Sequence, residues 1–127
     1  MIFGIGIDIE EISRIKRSVE NYGDAFLNKI YTRTELDYSL SKRNKYQHLA
    51  ARFAAKEAIA KALQTGWNKD FRWKDINIHN EKSGLPIVEL SGKLKEFLGN
   101  DKALKISMSH SENYVTCVAI IYTVKEV

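Results

Sequence analysis

The chain is poor in the residues that staple or interrupt a fold: one cysteine and one proline in 127 positions. Cys117 has no partner for an internal disulfide and sits in the apolar run 114–122. That is the pattern of a packed thiol in a reducing compartment, so the cytoplasm is the expected location. His48, His79 and His110 lack zinc spacing, and no cysteine pair exists. The phosphate-binding P-loop, a dinucleotide glycine fingerprint in the right setting and a GxSxG elbow are all missing. No apolar run approaches the length of a membrane span. The first residues are apolar and then acidic, whereas a signal peptide starts basic and stays apolar for longer. Repeats, linkers and low-complexity tracts are also absent.

What is present suits one compact domain spanning 1–127, with 44% hydrophobic and 28% charged residues. The net charge is +4 and the pI about 9.1. A mild basic excess fits nucleic acid, an acidic protein or a phosphorylated small molecule equally well.

Residues 2–9 alternate as a strand does. Phe3, Ile5, Ile7 and Ile9 share one face, and Ile2, Gly4, Gly6 and Asp8 share the other. Two glycines in a row on one face let something approach the backbone closely. Residues 10–22 read as a helix, with Ile12, Ile15, Val19 and Tyr22 on one stripe and Arg14 and Arg17 opposite. Glu10 and Glu11 are expected in its first turn, where the helix dipole favours acids. Thr32-Arg33-Thr34-Glu35 has the form of a capping box opening a short helix. Residues 45–63 give the strongest helical pattern. Seven alanines from Ala50 to Ala62 are spread round it, as expected of a helix with close neighbours on many sides. Gly66 is the expected terminator. Strands are expected over 73–79 and 87–90, a helix over 93–98, and two more strands where Leu104, Ile106 and Met108, then Val115, Cys117, Ala119 and Ile121, alternate. One strand, then helices, then mostly strands describes an α+β fold.

Three groups of residues stand out chemically. Asp8 ends an apolar strand on its glycine face and reads either as a helix N-cap or as a functional carboxylate. Lys56, Glu57 and Lys61 lie among alanines. A solvated Glu–Lys pair is the plain reading, but charges in such surroundings need partners or a ligand. Ser109-His110-Ser111 is either a hairpin turn or a place where His110 binds phosphate or moves a proton.

Taken together, four segments resemble the short holo-acyl-carrier-protein synthases, a branch of the 4'-phosphopantetheinyl transferases. They are Gly4-Ile5-Gly6-Ile7-Asp8-Ile9, then Arg52-Phe53-Ala54-Ala55-Lys56-Glu57-Ala58 with Lys61, then Ser83-Gly84-Leu85-Pro86, then Ser109-His110-Ser111. Their order and separation carry the resemblance over nearly the whole chain. It implies a mostly antiparallel sheet packed on a long central helix. It also implies transfer of the 4'-phosphopantetheine arm of coenzyme A to a serine of an apo-carrier protein, with 3',5'-ADP leaving, in support of fatty acid biosynthesis. In that reading Asp8 and Glu57 hold Mg²⁺ and Lys61 neutralises the pyrophosphate. Arg52, Lys56, Ser83, Gly84, Leu85, Pro86, Ser109, His110 and Ser111 hold coenzyme A, with His110 on a phosphate. Arg14 and Arg17 receive an acidic carrier. A homotrimer with sites between subunits follows from the same resemblance. The general base stays open among Glu57, a metal-bound water and an acidic residue near Glu35. Relatives with an acid after the histidine differ from this chain, which has Ser111. A nucleic-acid module is disfavoured because aromatics do not interleave with a basic stripe. A coenzyme A-binding protein without transfer activity is the other alternative.

Overall fold

The structure is a computed structural model that describes residues 1–64 and 69–124. Strand β1 (Ile2–Glu11) runs antiparallel to β5 (Tyr114–Thr123), which also pairs with β4 (Lys102–His110), giving the order β1-β5-β4. A separate hairpin joins β2 (Ile76–Asn80) to β3 (Pro86–Leu90). Between β1 and β2 lie α1 (Ile12–Tyr22), α2 (Asp24–Ile30), α3 (Arg33–Leu40) and α4 (Lys45–Leu63), and α5 (Gly92–Leu98) follows β3. This is the α+β arrangement expected, with α4 as its centre.

Glycine decides where α4 lies. A Cβ at Gly4 would collide with the Ala62 carbonyl oxygen, and one at Gly6 with that of Ala58. The helix backbone therefore rests directly on β1, a contact any side chain would prevent. Val115, Cys117, Ala119 and Ile121 of β5 complete the buried floor. The alanines of α4 keep its other neighbours close, and Leu49, Ile59 and Leu63 are fully buried. Each of these three side chains stabilises the core by about 1.5–3 kcal/mol.

The isoleucine face of β1 points away from that core. Ile5, Ile7 and Ile9 are 59–64% exposed. The register shift between Ile2 and Gly4 frees Phe3 from the alternation, and its ring packs edge-on against Phe97.

Several sequence expectations need correction. Glu10 and Glu11 do not open α1. They pair with Val115 and Tyr114, so β1 runs two residues further, and Ile12 then donates its amide to Asn113. The strand ladder satisfies the backbone there, and the helix starts only where the ladder ends. For the same reason Asp8 is no N-cap, since α1 begins beyond Glu11. Tyr22, placed on the apolar stripe, is exposed. Helix α2 had no counterpart in the reading of the sequence, and 73–75 forms a 3₁₀ turn before β2. Helix α4 closes on Gln64 in a left-handed conformation (φ 62°), and Gly66 lies outside the described residues. The capping box is present: the Thr32 hydroxyl accepts from the Glu35 amide, and the Glu35 carboxylate accepts from the Thr32 amide at 2.8 Å.

Candidate active site

The glycine face of β1 leads straight to Asp8. With α4 seated on Gly4 and Gly6, the next residue on that face lies beside the middle of the helix. There Lys61 Nζ is 3.3 Å from Asp8 Oδ1 and also donates to the Ile7 carbonyl at 2.8 Å. Asp8 Oδ2 is buried and has no hydrogen-bond partner among the described residues. Glu57 stands one turn before Lys61. Burial pushes its carboxyl above the ordinary range, the charge of Asp8 adds to this, and Lys61 opposes it. Asp8, Glu57 and Lys61 are thus brought together as the sequence suggested.

The strand carries one more carboxyl that sequence reasoning missed. Glu10 follows Asp8 on the same face, and burial pushes it up to about 8. The closeness of the Asp8 carboxylate and the charge of Glu57 push the same way, while Arg14 opposes them. The signal was available: the alternation Gly4, Gly6, Asp8 continues to position 10. Placing Glu10 in a helix hid it.

Crowded carboxyls, one with a buried oxygen lacking a partner, form a place that favours added positive charge. Among the described residues no set of three or more His, Cys, Asp or Glu side chains forms a metal cage. Mg²⁺ needs none, because it takes one or two carboxylates together with waters and substrate phosphates. Asp8 and Glu57 fit that share of the ligands.

The remaining residues divide sharply. Lys56 faces the interior rather than the surface. It is fully buried, forms a 2.7 Å ion pair with Glu35, and donates to the carbonyls of Ile30, Trp73 and Ile76 at 2.8–3.0 Å. An ammonium has three donors, and here every one is used. Lys56, expected to touch coenzyme A, is thus enclosed with its donors spent within the chain, and Glu35, sealed in the same pair, is not exposed. Arg52 is also buried. Its Nη2 donates to Asn80 Oδ1 at 2.8 Å, and the guanidinium lies 4.6 Å above the Tyr38 ring.

Ser83, Gly84 and Leu85 lie in the exposed turn from β2 into β3, and half-buried Pro86 opens β3. Leu85 and Pro86 border a cavity of about 260 Å³ whose far wall is Leu104, Lys105 and Ile106. Ser109, His110 and Ser111 close β4 and begin the turn to β5, beside a cavity of about 320 Å³ that also touches Ile9 and Thr116. Neither lining includes Asp8, Glu57 or Lys61. Burial lowers the His48 pKa, and the charges of Arg52, Lys42 and His110 lower it further, so a basic region lies between α4 and the end of β4. Lys42 had no distinguishing signal in the sequence. Arg14 and Arg17 are exposed on α1.

Comparison with known proteins agrees with this arrangement. The 4'-phosphopantetheinyl transferase superfamily pattern matches residues 4–119. A holo-[acyl-carrier-protein] synthase of Chlamydia trachomatis is 51% identical over 119 residues, 94% of this chain and 98% of that protein. The crystal structure of the Neisseria meningitidis synthase superposes with a TM-score of 0.88 at 34% identity, covering 97% of this chain and 100% of that one. The Helicobacter pylori synthase in complex with coenzyme A gives 0.82 at 32%, covering 93% and 99%. With its glycine-backed carboxylates in place and these likenesses along almost its whole length, the chain belongs to the 4'-phosphopantetheinyl transferase superfamily, among the holo-[acyl-carrier-protein] synthases.

Proposed function

We propose that this chain, acting as one domain, transfers the 4'-phosphopantetheine arm of coenzyme A to a serine of an apo-acyl-carrier protein, in support of fatty acid biosynthesis. The observation that carries the reading is the juxtaposition of Asp8, Glu57 and Lys61 on the glycine face of β1. The serine oxygen attacks the β-phosphorus of the coenzyme A pyrophosphate. A new O–P bond forms, the bridging P–O bond breaks, and 3',5'-ADP leaves with the electron pair. Such a transfer depends mainly on position and charge neutralisation. Mg²⁺, when bound, supplies electrophilic stabilisation of the pyrophosphate oxygens. Asp8 and Glu57 provide the carboxylates for it, and Lys61, half-exposed, reaches the same phosphates as a point charge. Glu35 itself is enclosed, so Glu57, a water beside it or another acidic residue near Glu35 takes the serine proton.

His110 with Ser109 and Ser111 holds a nucleotide phosphate, and turn 83–86 holds another part of coenzyme A. Arg14 and Arg17 meet an acidic carrier. Asp8, Glu57 and Lys61 come from one subunit of a homotrimer and His110 from its neighbour; the cavity beside His110, whose lining lacks those three residues, supports this. The exposed Ile5, Ile7 and Ile9, with half-buried Val118, Ile120 and Tyr122 beside them, offer the apolar face that such contacts need. The single buried thiol of Cys117 supports action in a reducing cytoplasm; among the described residues no helix is long and apolar enough to cross a membrane.

The test is incubation with coenzyme A, Mg²⁺ and an apo-carrier. Intact mass should show the arm added to the carrier and 3',5'-ADP released, with both lost on omitting Mg²⁺. Coenzyme A binding without either product would identify a binding protein instead. For the shared site, Glu57→Gln and His110→Ala are each inactive alone and regain activity when their subunits are mixed. If mass spectrometry confirms mixed trimers and activity stays at the level of the single variants, the site lies within one subunit.

A further inference from the structure

Arg52 was expected to hold coenzyme A, yet its side chain is buried and points to another residue. Its Nη2 reaches Asn80 Oδ1 at 2.8 Å, and the Asn80 Nδ2 donates in turn to the carbonyl of Gly84 at 3.0 Å. We propose that Asn80 is a positioning residue for coenzyme A, relaying the fixed orientation of Arg52 to turn 83–86. This rests on the reading that the turn holds coenzyme A.

Each link is directional. Arg52 is 2% exposed and its guanidinium carbon lies 4.6 Å from the centre of the Tyr38 ring, so its fork is confined. A guanidinium has donors only, so the amide of Asn80 must present its oxygen to Arg52. That leaves the NH₂ of Asn80 facing the turn, where it can only donate. Its acceptor belongs to Gly84, the one residue of the turn with positive φ (91°). The Gly84 amide already donates to Glu81 at 2.8 Å, and Glu81 donates to Leu85 at 2.9 Å. With the Gly84 carbonyl also tied, the peptide entering Leu85 has a single orientation. Leu85 and Pro86 edge the cavity between β3 and β4, so the relay sets that edge before any ligand arrives. Ordering a loop in advance removes a cost that binding would otherwise carry.

Two variants separate positioning from simple stability. Asn80→Ala removes both bonds. Asn80→Asp keeps an acceptor for Arg52, gaining charge, but has no donor for Gly84. The relay requires that Asn80→Asp melt no lower than the parent while amide exchange at Glu81 and Gly84 quickens and exchange at Ile78 does not. It also requires that the KM for coenzyme A, and its dissociation constant by calorimetry, rise about tenfold in both variants, the change that losing one ordinary hydrogen bond produces. The KM for the carrier and kcat should stay within about twofold, as expected when only ground-state positioning of one substrate is lost. Unaltered exchange in Asn80→Asp, normal coenzyme A affinity in it, or equal damage to both substrates overturns the relay. If the parent protein itself fails to bind coenzyme A, the reading beneath the relay has failed. If the parent binds and Asn80→Asp binds equally well, the relay alone has failed.

Discussion

Lys56 and Lys61 occupy one helix five residues apart, and the structure uses them in opposite ways. Lys56 is enclosed by Glu35 and three backbone carbonyls from two other parts of the chain. Burial lowers its pKa and Glu35 opposes that fall. Lys61 has one carboxylate at 3.3 Å and one carbonyl, and about half of its side chain is exposed. A buried charge whose every donor is satisfied has nothing left to offer a ligand. A charge with partners on one side only, facing solvent on the other, can still take a phosphate. Completeness of the partner set, rather than charge type, separates the enclosed lysine from the one that can still meet a ligand.

The largest effect is expected at the enclosed lysine. Lys56→Met leaves the Glu35 carboxylate buried without its counter-ion and should cost about 3–5 kcal/mol of unfolding free energy. Urea denaturation measures this, and the double variant Lys56→Met with Glu35→Gln should recover much of the loss. A Lys56→Met protein as stable as the parent would break the contrast at its stronger end. Lys61→Met should behave in the reverse manner. Its half-exposed ion pair contributes at most about 1 kcal/mol to stability. Transfer should nevertheless fall about 100-fold, in line with removing a group that stabilises developing phosphate charge. Steady-state assay of 3',5'-ADP release beside the same denaturation curve reads both effects.

The difference between the two lysines was not visible in the sequence. Position within α4 was legible, because alanines on all sides announce close neighbours, and the helix bounds 45–63 agree with the structure. The partner of Lys56 was also in view, as the last residue of the capping box. The box showed only that Glu35 would bond the Thr32 amide. That the other carboxylate oxygen would bond the Ile78 amide, and that Lys56 would complete the cluster, depends on β2 and α3 meeting in space. Periodicity reports which face a residue occupies and is silent on what covers that face. The same limit explains β1. Its alternation was plain, but the glycine face, with the least apolar surface, proved to be the core face because it alone admits a helix backbone. The convergence of Asp8 with Glu57 followed once that packing was assumed. The cavities beside turns 83–86 and 109–111 depend on long-range strand pairing and could not be foreseen.

A smaller effect is expected on α1. Arg14 and Arg17 are exposed on the helix that follows Asp8 and Glu10. Reversing both to Glu should raise the KM for the carrier about tenfold at low salt and leave that for coenzyme A nearly unchanged, because exposed charges steer an oppositely charged partner. The effect should shrink as ionic strength shortens the screening length. Arg14 also eases the charge on half-buried Glu10, so a small fall in melting temperature is expected, far below that of Lys56→Met. Equal rises for both substrates would place the two arginines in the reaction site rather than on a docking surface.

The smallest effect concerns the carboxyls that Lys61 only partly neutralises. Glu10 is held at about 8 by burial and by Asp8, well above its ordinary 4.5, and Glu57 is raised by the same two causes. The folded chain therefore keeps protons that the unfolded chain has already released. Stability linked to these groups is complete below the ordinary carboxylate range and is lost as pH climbs through the raised values. In chelator-treated protein the melting temperature should fall by a few degrees between pH 5 and pH 8.5, beyond the drift common to the rest of the chain. Glu10→Gln, which cannot ionise, should flatten the upper part of that decline. Since Glu10 is partly open to solvent, the change is modest, and differential scanning calorimetry of both proteins in one buffer series is the suitable measurement. Mg²⁺ should flatten the decline as well, because added positive charge favours the ionised carboxylates. A Glu10→Gln profile parallel to that of the parent would mean that Lys61 and solvent already neutralise this cluster. The contrast between the satisfied lysine and the half-satisfied one would then be less sharp than their partner sets suggest.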